Sequence, residues 1–198
     1  MPKLTDADAT RMRLVKAAWR VIATEGIQAA SLRRVAAEAN CTTGLITHYF
    51  ADKNDLVTSA YRQVLNTMIL DATEAIAGED HVAEKLLAAV EAIEPTRAAL
   101  KEFTVVLINF WAAAAFNPTF AEYCKQDYVR WWELIHGVIQ KGVDKGELKK
   151  DVNVDMLVDL LTLVSDGLGV GMTLTPGHYP RHYRAAIVRQ LMAPHLRR

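Results

Sequence analysis

Apolar residues recur along this chain three and four positions apart, and no stretch alternates apolar with polar residues as a strand would. Leu14, Ala18, Val21 and Ile22 form one stripe and predict a helix over 6–25. Gly26 is placed to end it in the left-handed conformation. Ser31 caps a short second helix whose inner face is Leu32, Val35, Ala36 and Ala39, and Asn40 tolerates the left-handed turn that follows. Thr42 caps a third short helix that points Ile46 and Phe50 inward. Asp52 caps a long fourth helix, with Asp55 near its positive end. Beyond it the periodicity predicts helices over 81–94, 96–116, 117–145, 154–174 and 180–196. Asn117 and Pro118 make a cap and first-turn pair, while Pro95 and 142–146 mark breaks. The fold class is all-α with about nine helices: an N-terminal three-helix helix-turn-helix domain over 1–53 and a C-terminal helical bundle over 54–198.

Composition narrows the picture. A hydrophobic content of 51% is ample for a packed core without a disulfide or metal staple. Cys41 and Cys124 have neither metal nor redox spacing, which fits free thiols in a reducing compartment. Net charge is zero over the chain, but residues 1–53, counting Lys3, carry +3 and the remainder −3. A positive end on a negative body is the polarity of a protein whose one end meets phosphate. No secretory leader pattern opens the chain. The apolar stretch 103–116 is too short to span a bilayer, and 156–175 carries Asp159 and Asp166, so both are expected as buried helices of a soluble, cytoplasmic protein with no membrane partner.

Two short helices joined by a tight turn and braced by a preceding helix describe a helix-turn-helix, which fits a helix into the DNA major groove. Outward from 31–53 the sequence offers Thr42, Thr43, Thr47, His48 and Tyr49, short or flat polar groups that reach phosphates or base edges, with Gly44 allowing close backbone approach. From Ser31 to Leu56, above all Leu45-Ile46-Thr47-His48-Tyr49-Phe50 followed by Asp52-Lys53, the chain resembles the TetR family of regulators. It departs from the family at Asn40, where a turn glycine is usual, and at Thr43, where a basic residue is common. The resemblance implies that Ser31, Thr42, Tyr49 and Lys53 anchor phosphates of a double-stranded operator. It implies also that Arg33, Thr43, Leu45, Thr47 and His48 face bases, Arg33 being suited to guanine, although Arg34 beside it could take that role.

A single reading head binds weakly, so a homodimer is expected, with 154–174 and the last helix as the interface. The helix over 154–174 is apolar nearly all round, and Gly167, Gly169 and Gly171 suit a close backbone or a ligand; a buried core helix is the plain alternative. Aromatic residues gather in the two helices before it, among them Phe110, Trp111, Tyr128, Trp131 and Trp132. Such rings with a carboxylate recognise quaternary ammonium ions, and Asp166 is the natural counter-ion. Trp131 and Trp132 lie about 100° apart around the helix, so at most one faces a given cavity. A thinner likeness links Phe110-Trp111, Pro118 and Asp166-Gly167-Leu168 to the choline-responsive repressors of glycine-betaine synthesis within the family, implying a choline-like effector. Gly169 departs from that subgroup's bulky apolar residue. No catalytic triad or phosphate-binding loop is spaced for chemistry, His178 and His182 are separated by Pro180, and neither an enzyme nor a cofactor or metal is expected. A multidrug-sensing repressor and a regulator controlled by a protein partner stay open as alternatives.

Overall fold

The computed structural model describes residues 6–197, and Lys3, counted in the charge balance above, lies outside them. The described residues form α1 Asp6–Glu25, a 3-10 turn Ile27–Ala29, α2 Leu32–Glu38, α3 Thr43–Tyr49, α4 Lys53–Ala77, α5 Val82–Ile93, α6 Ala98–Ala114, α7 Pro118–Asp144, α8 Val154–Leu174 and α9 Arg181–Met192. The all-α class expected from the periodicity is what the chain adopts. The described residues divide into two compact units, 6–66 with 102–124, and 67–101 with 125–197.

In the first unit local chemistry fixes the short helices. Ser31 Oγ accepts from Arg34 N at 3.2 Å and Thr42 Oγ1 from Leu45 N at 3.3 Å, each satisfying an amide that a helix start leaves without a partner. At α4 the caps are reciprocal: Asp52 Oδ1 accepts from Asp55 N and Asp55 Oδ2 from Ala51 N. Gly26 and Asn40 both have positive φ, at 84° and 50°. Leu14, Ile22, Val35, Ile46, Phe50 and Leu56 are all but inaccessible and form the core that clamps α1 to α4 together. Arg11 reinforces it by donating to Ser59 Oγ and covering the Phe50 ring 5.0 Å from its centroid. Residues of α6 join the same unit. Asn109 Oδ1 accepts from Ile27 N at 3.2 Å, and Trp19 meets Phe103 edge-on.

The second unit is built on Leu86, Val90, Ile135, Ile139, Leu157, Leu161 and Val188. Charges stitch α9 onto α5: Arg181 pairs with Glu91, Arg189 with Glu84, and Arg184 with Glu94 at 2.7 Å. The last pair is buried on both sides, and Arg184 also donates to the Tyr179 carbonyl. α9 ends at Met192, short of the helix expected to residue 196, because Pro194 supplies no amide and the chain beyond it pairs with the α7–α8 loop. Leu148 faces Leu196 there, and Lys149 N donates to His195 O.

α8 is long and apolar enough by length and composition to cross a bilayer. It also carries Asp155, Asp159 and Asp166. The buried core helix expected from its sequence is half right. Leu157, Val158, Leu161, Thr162, Ser165 and Leu168 are buried, whereas Met156, Leu160, Leu163 and Leu174 are exposed on another side.

Candidate DNA-binding and effector sites

The buried stripe of α3 is narrow, with Ile46 its buried residue and Phe50 closing the core just beyond. Thr42, Thr43, Gly44, Thr47 and His48 are exposed, Leu45 and Tyr49 half-buried. Thr47 Oγ1 donates to Gly44 O at 3.1 Å, which leaves its lone pairs and methyl outward. Thr42 accepts as the cap from Leu45 N, which leaves its hydroxyl proton able to donate outward. His48 and Tyr49 meet edge-on at 5.1 Å, which fixes both rings at the end of the helix. Lys53 donates through Nζ to Gln28 O at 3.0 Å, so its ammonium is held against the 3-10 turn.

The two adjacent arginines of α2 separate cleanly. Arg34 donates to both carboxylate oxygens of Glu25, Nη2 to Oε1 at 2.5 Å and Nε to Oε2 at 3.1 Å, and to Glu38 Oε2. Hydrogen bonds with Glu25 first, then Glu38, raise its pKa, and the Glu25 carboxyl is correspondingly lowered. Arg34 therefore braces α1 against α2. Arg33 is exposed and makes no ion pair among the described residues. Of the two arginines the sequence could not tell apart, Arg34 is engaged and Arg33 is not, and the bracing carboxylate across the α1–α2 turn is what sequence reading missed.

The effector candidates divide between the two units. In the first, Phe110 is fully buried, its ring stacked on Tyr61 with centroids 3.9 Å apart and tilted against Phe120 at 4.6 Å. Trp111 beside it is half-buried. In the second, Trp131 belongs to the core, and Trp132 lies at its margin, stacked on His136. Tyr128 is 45% exposed and donates to Asp159 Oδ1 at 3.1 Å. Burial and then the Asp159 bond raise its pKa, with Asp166 adding its own negative charge. Packing around Asp166 pushes its carboxyl up to about 6. Its side chain nevertheless keeps solvent access in the protomer, so crowding on one side, and not enclosure, sets the direction. Asp127 on α7 was not singled out from sequence; it is 3% exposed and 3.4 Å from Arg130 Nη1. No group of three or more His, Cys, Asp or Glu side chains is placed to hold a metal among the described residues.

A capped, braced pair of short helices presenting threonines, a histidine and a free arginine defines an all-helical, DNA-binding regulator. Residues 14–60 match the tetR family of bacterial regulatory proteins, and residues 82–197, more than half of the chain, match the C-terminal domain of BetI-type transcriptional repressors. The chain belongs to the TetR family and is a transcriptional repressor of that ligand-responsive type. It is 28% identical over 185 residues to the HTH-type transcriptional regulator PksA of Bacillus subtilis, covering 89% of this chain and 84% of that one. It is 31% identical over 120 residues to BetI of Burkholderia thailandensis, a match spanning 60% of this chain and 62% of that protein. Among solved structures, the same fold occurs in a TetR-family regulator from Cytophaga hutchinsonii, with TM-score 0.87, 18% identity and 99% of each chain covered. It occurs also in a transcriptional regulator from Saccharomonospora viridis in complex with choline, with TM-score 0.84, 22% identity, and 96% of this chain and 99% of that one covered.

Proposed function

We propose that this protein represses transcription in the cytoplasm by binding a palindromic operator as a homodimer, and that a choline-like cation releases it. The observation that carries the reading is the outward face of α2 and α3, where Arg33, Thr43, Thr47 and His48 are all exposed. Thr43, Leu45, Thr47 and His48 read base edges with Arg33, while Ser31, Thr42, Tyr49 and Lys53 hold phosphates and Gly44 lets the backbone close in.

Two heads are needed for a two-fold operator, and α8 offers the means. Met156, Leu160, Leu163, Gly167 and Leu174 recur at 0, 4, 7, 11 and 18 positions, an apolar seam on its exposed side. The occupant of that seam is a second copy of this chain, with α9 beside it. For the effector, Tyr128 supplies the aromatic face and Asp166 with Asp159 the charge. Trp131 supplies the packed wall behind α7. The choline complex of the Saccharomonospora regulator and the BetI-type C-terminal match support a quaternary ammonium over other cations. Release follows a population shift: the cation favours a separation of the two α3 helices other than the one turn of DNA, about 34–36 Å, that adjacent half-sites demand.

The test is fluorescence anisotropy of the purified protein on DNA from upstream of its own gene, with and without choline. Tight, salt-sensitive binding that choline weakens is the expected result. Binding indifferent to choline would remove that effector, and no binding at low salt would overturn the operator reading in favour of control through a protein partner.

A further inference from the structure

The second unit holds a cavity of about 580 Å³ between the end of α4, the start of α5 and the C-terminal half of α7, within the size range of small-molecule sites. No residue of α8 or α9 lines it, so it is separate from both the Tyr128–Asp166 cluster and the apolar seam. Its floor is apolar: Ile76 from α4, Val82 from α5, and Leu134 and Val138 from α7. Gly137 lies between those last two and leaves the middle open, since a Cβ built there meets nothing within 4 Å.

The charges around the cavity are sorted. Lys85 is committed to the end of α4, donating to the Ile76 and Glu79 carbonyls. Glu147 is committed to the start of α5, accepting from Val82 N at 2.7 Å. Asp144, the carboxylate nearest in sequence, accepts from Gln140. Lys141 in the last turn of α7 and Lys145 just past its end both line the cavity, and their ammonium groups make no ion pair or hydrogen bond with any described residue. Glu133 lines it two turns before Lys141, about 12 Å away at 1.5 Å per residue. The cavity is therefore polarised along α7, with two unengaged ammonium groups at one end and apolar walls leading away from them.

We infer that this cavity is a second ligand site, and that it takes a small amphipathic carboxylate whose anion sits between Lys141 and Lys145 and whose aliphatic tail lies over Gly137 against Ile76, Leu134 and Val138. A cationic ligand is repelled by that rim, so the site and the Tyr128–Asp166 cluster select opposite charges. The inference does not depend on the choline reading, and its test uses a different probe.

Octanoate, octan-1-ol and choline are titrated separately into the full-length protein by isothermal calorimetry, with thermal denaturation in parallel. Three proteins are compared: the natural chain, Gly137→Phe, and Lys141→Glu with Lys145→Glu. Gly137→Phe fills open space and removes a helix-weakening glycine, so it folds at least as well as the natural chain. The expected result is saturable octanoate binding with a raised Tm in the natural protein, loss of binding in Gly137→Phe, and at least tenfold weaker binding in the double lysine variant. Octan-1-ol binds weakly throughout, and any choline response survives in Gly137→Phe. Absence of octanoate binding to the natural protein overturns the proposal, as does equal binding by all three proteins or binding of octan-1-ol as tight as that of octanoate.

Discussion

Arg184→Met gives a severe and pH-dependent loss of stability. Arg184 and Glu94 are 8% and 4% exposed, 2.7 Å apart, and 90 residues apart in sequence. Removing the guanidinium leaves a buried carboxylate without its partner and the Tyr179 carbonyl without its donor. Breaking a buried pair from one side costs about 3–5 kcal/mol. For a chain of this size that is a fall in Tm of roughly 6–20 °C. Burial already raises the Glu94 carboxyl above its ordinary value, and the Arg184 hydrogen bond opposes that rise. Without Arg184 the opposition vanishes and the value climbs further. Between the ordinary and the raised value the folded variant binds a proton that the unfolded chain has released, so stability falls as pH rises through that window. Thermal and urea denaturation followed by circular dichroism therefore show partial recovery on acidification toward about pH 5. Pairing Arg184→Met with Glu94→Leu restores most of the loss, because an apolar replacement of both members abolishes the stranded charge. A cost below about 1 kcal/mol, or an equal loss at low and high pH, would refute the claim that water is excluded from this pair.

The remaining expectations concern single side chains. Gly171→Ala sets a Cβ 2.7 Å from the Tyr179 ring; overpacking of about 1–3 kcal/mol exceeds the propensity gain of about 1 kcal/mol, so Tm falls. Lys53→Ala weakens all DNA alike and lowers the salt slope by about one per protomer, whereas Arg33→Ala relaxes specificity at one base pair; anisotropy against a panel of operator variants separates the two. Leu163→Glu, on a residue 68% exposed, leaves the protomer's Tm near that of the natural chain but shifts sedimentation to the monomer. Asp166→Asn removes a pH dependence: with its carboxyl held up from 3.8 to about 6, the folded chain loses stability as pH rises through that interval, and the variant's Tm is flatter across it.

What could be read from the sequence was local. Ser31, Thr42, Asp52 and Asn117 were placed as caps because a cap acts on amides two or three residues away. Gly26 and Asn40 were legible for the same reason, their backbone angles being set by what their own side chains permit. The division of labour between Arg33 and Arg34 was not, because Glu25 comes from the preceding helix and only packing brings it within reach. Nor was the end of α9, where Pro194 and the distant Leu148 combine to stop a helix that periodicity alone would continue. Aromatic residues were the least legible, since periodicity finds an apolar face and cannot say what faces it. Phe110 and Trp131 satisfy core packing, while Tyr128 stays accessible.

On the proposed reading, the exposed side of α8 serves two demands at once. Leu163 and Gly167 of the seam flank Asp166, which retains its solvent access only while nothing covers that side. A second copy docked on the seam removes water from the carboxylate and disfavours its charged form further. A cation bound beside Tyr128 acts in the opposite sense, since it repays the desolvation of the anion it pairs with. The proposed dimer contact and the proposed cation binding would then be linked through one titrating group. Each must alter the free energy of the other by the same amount, whichever event comes first.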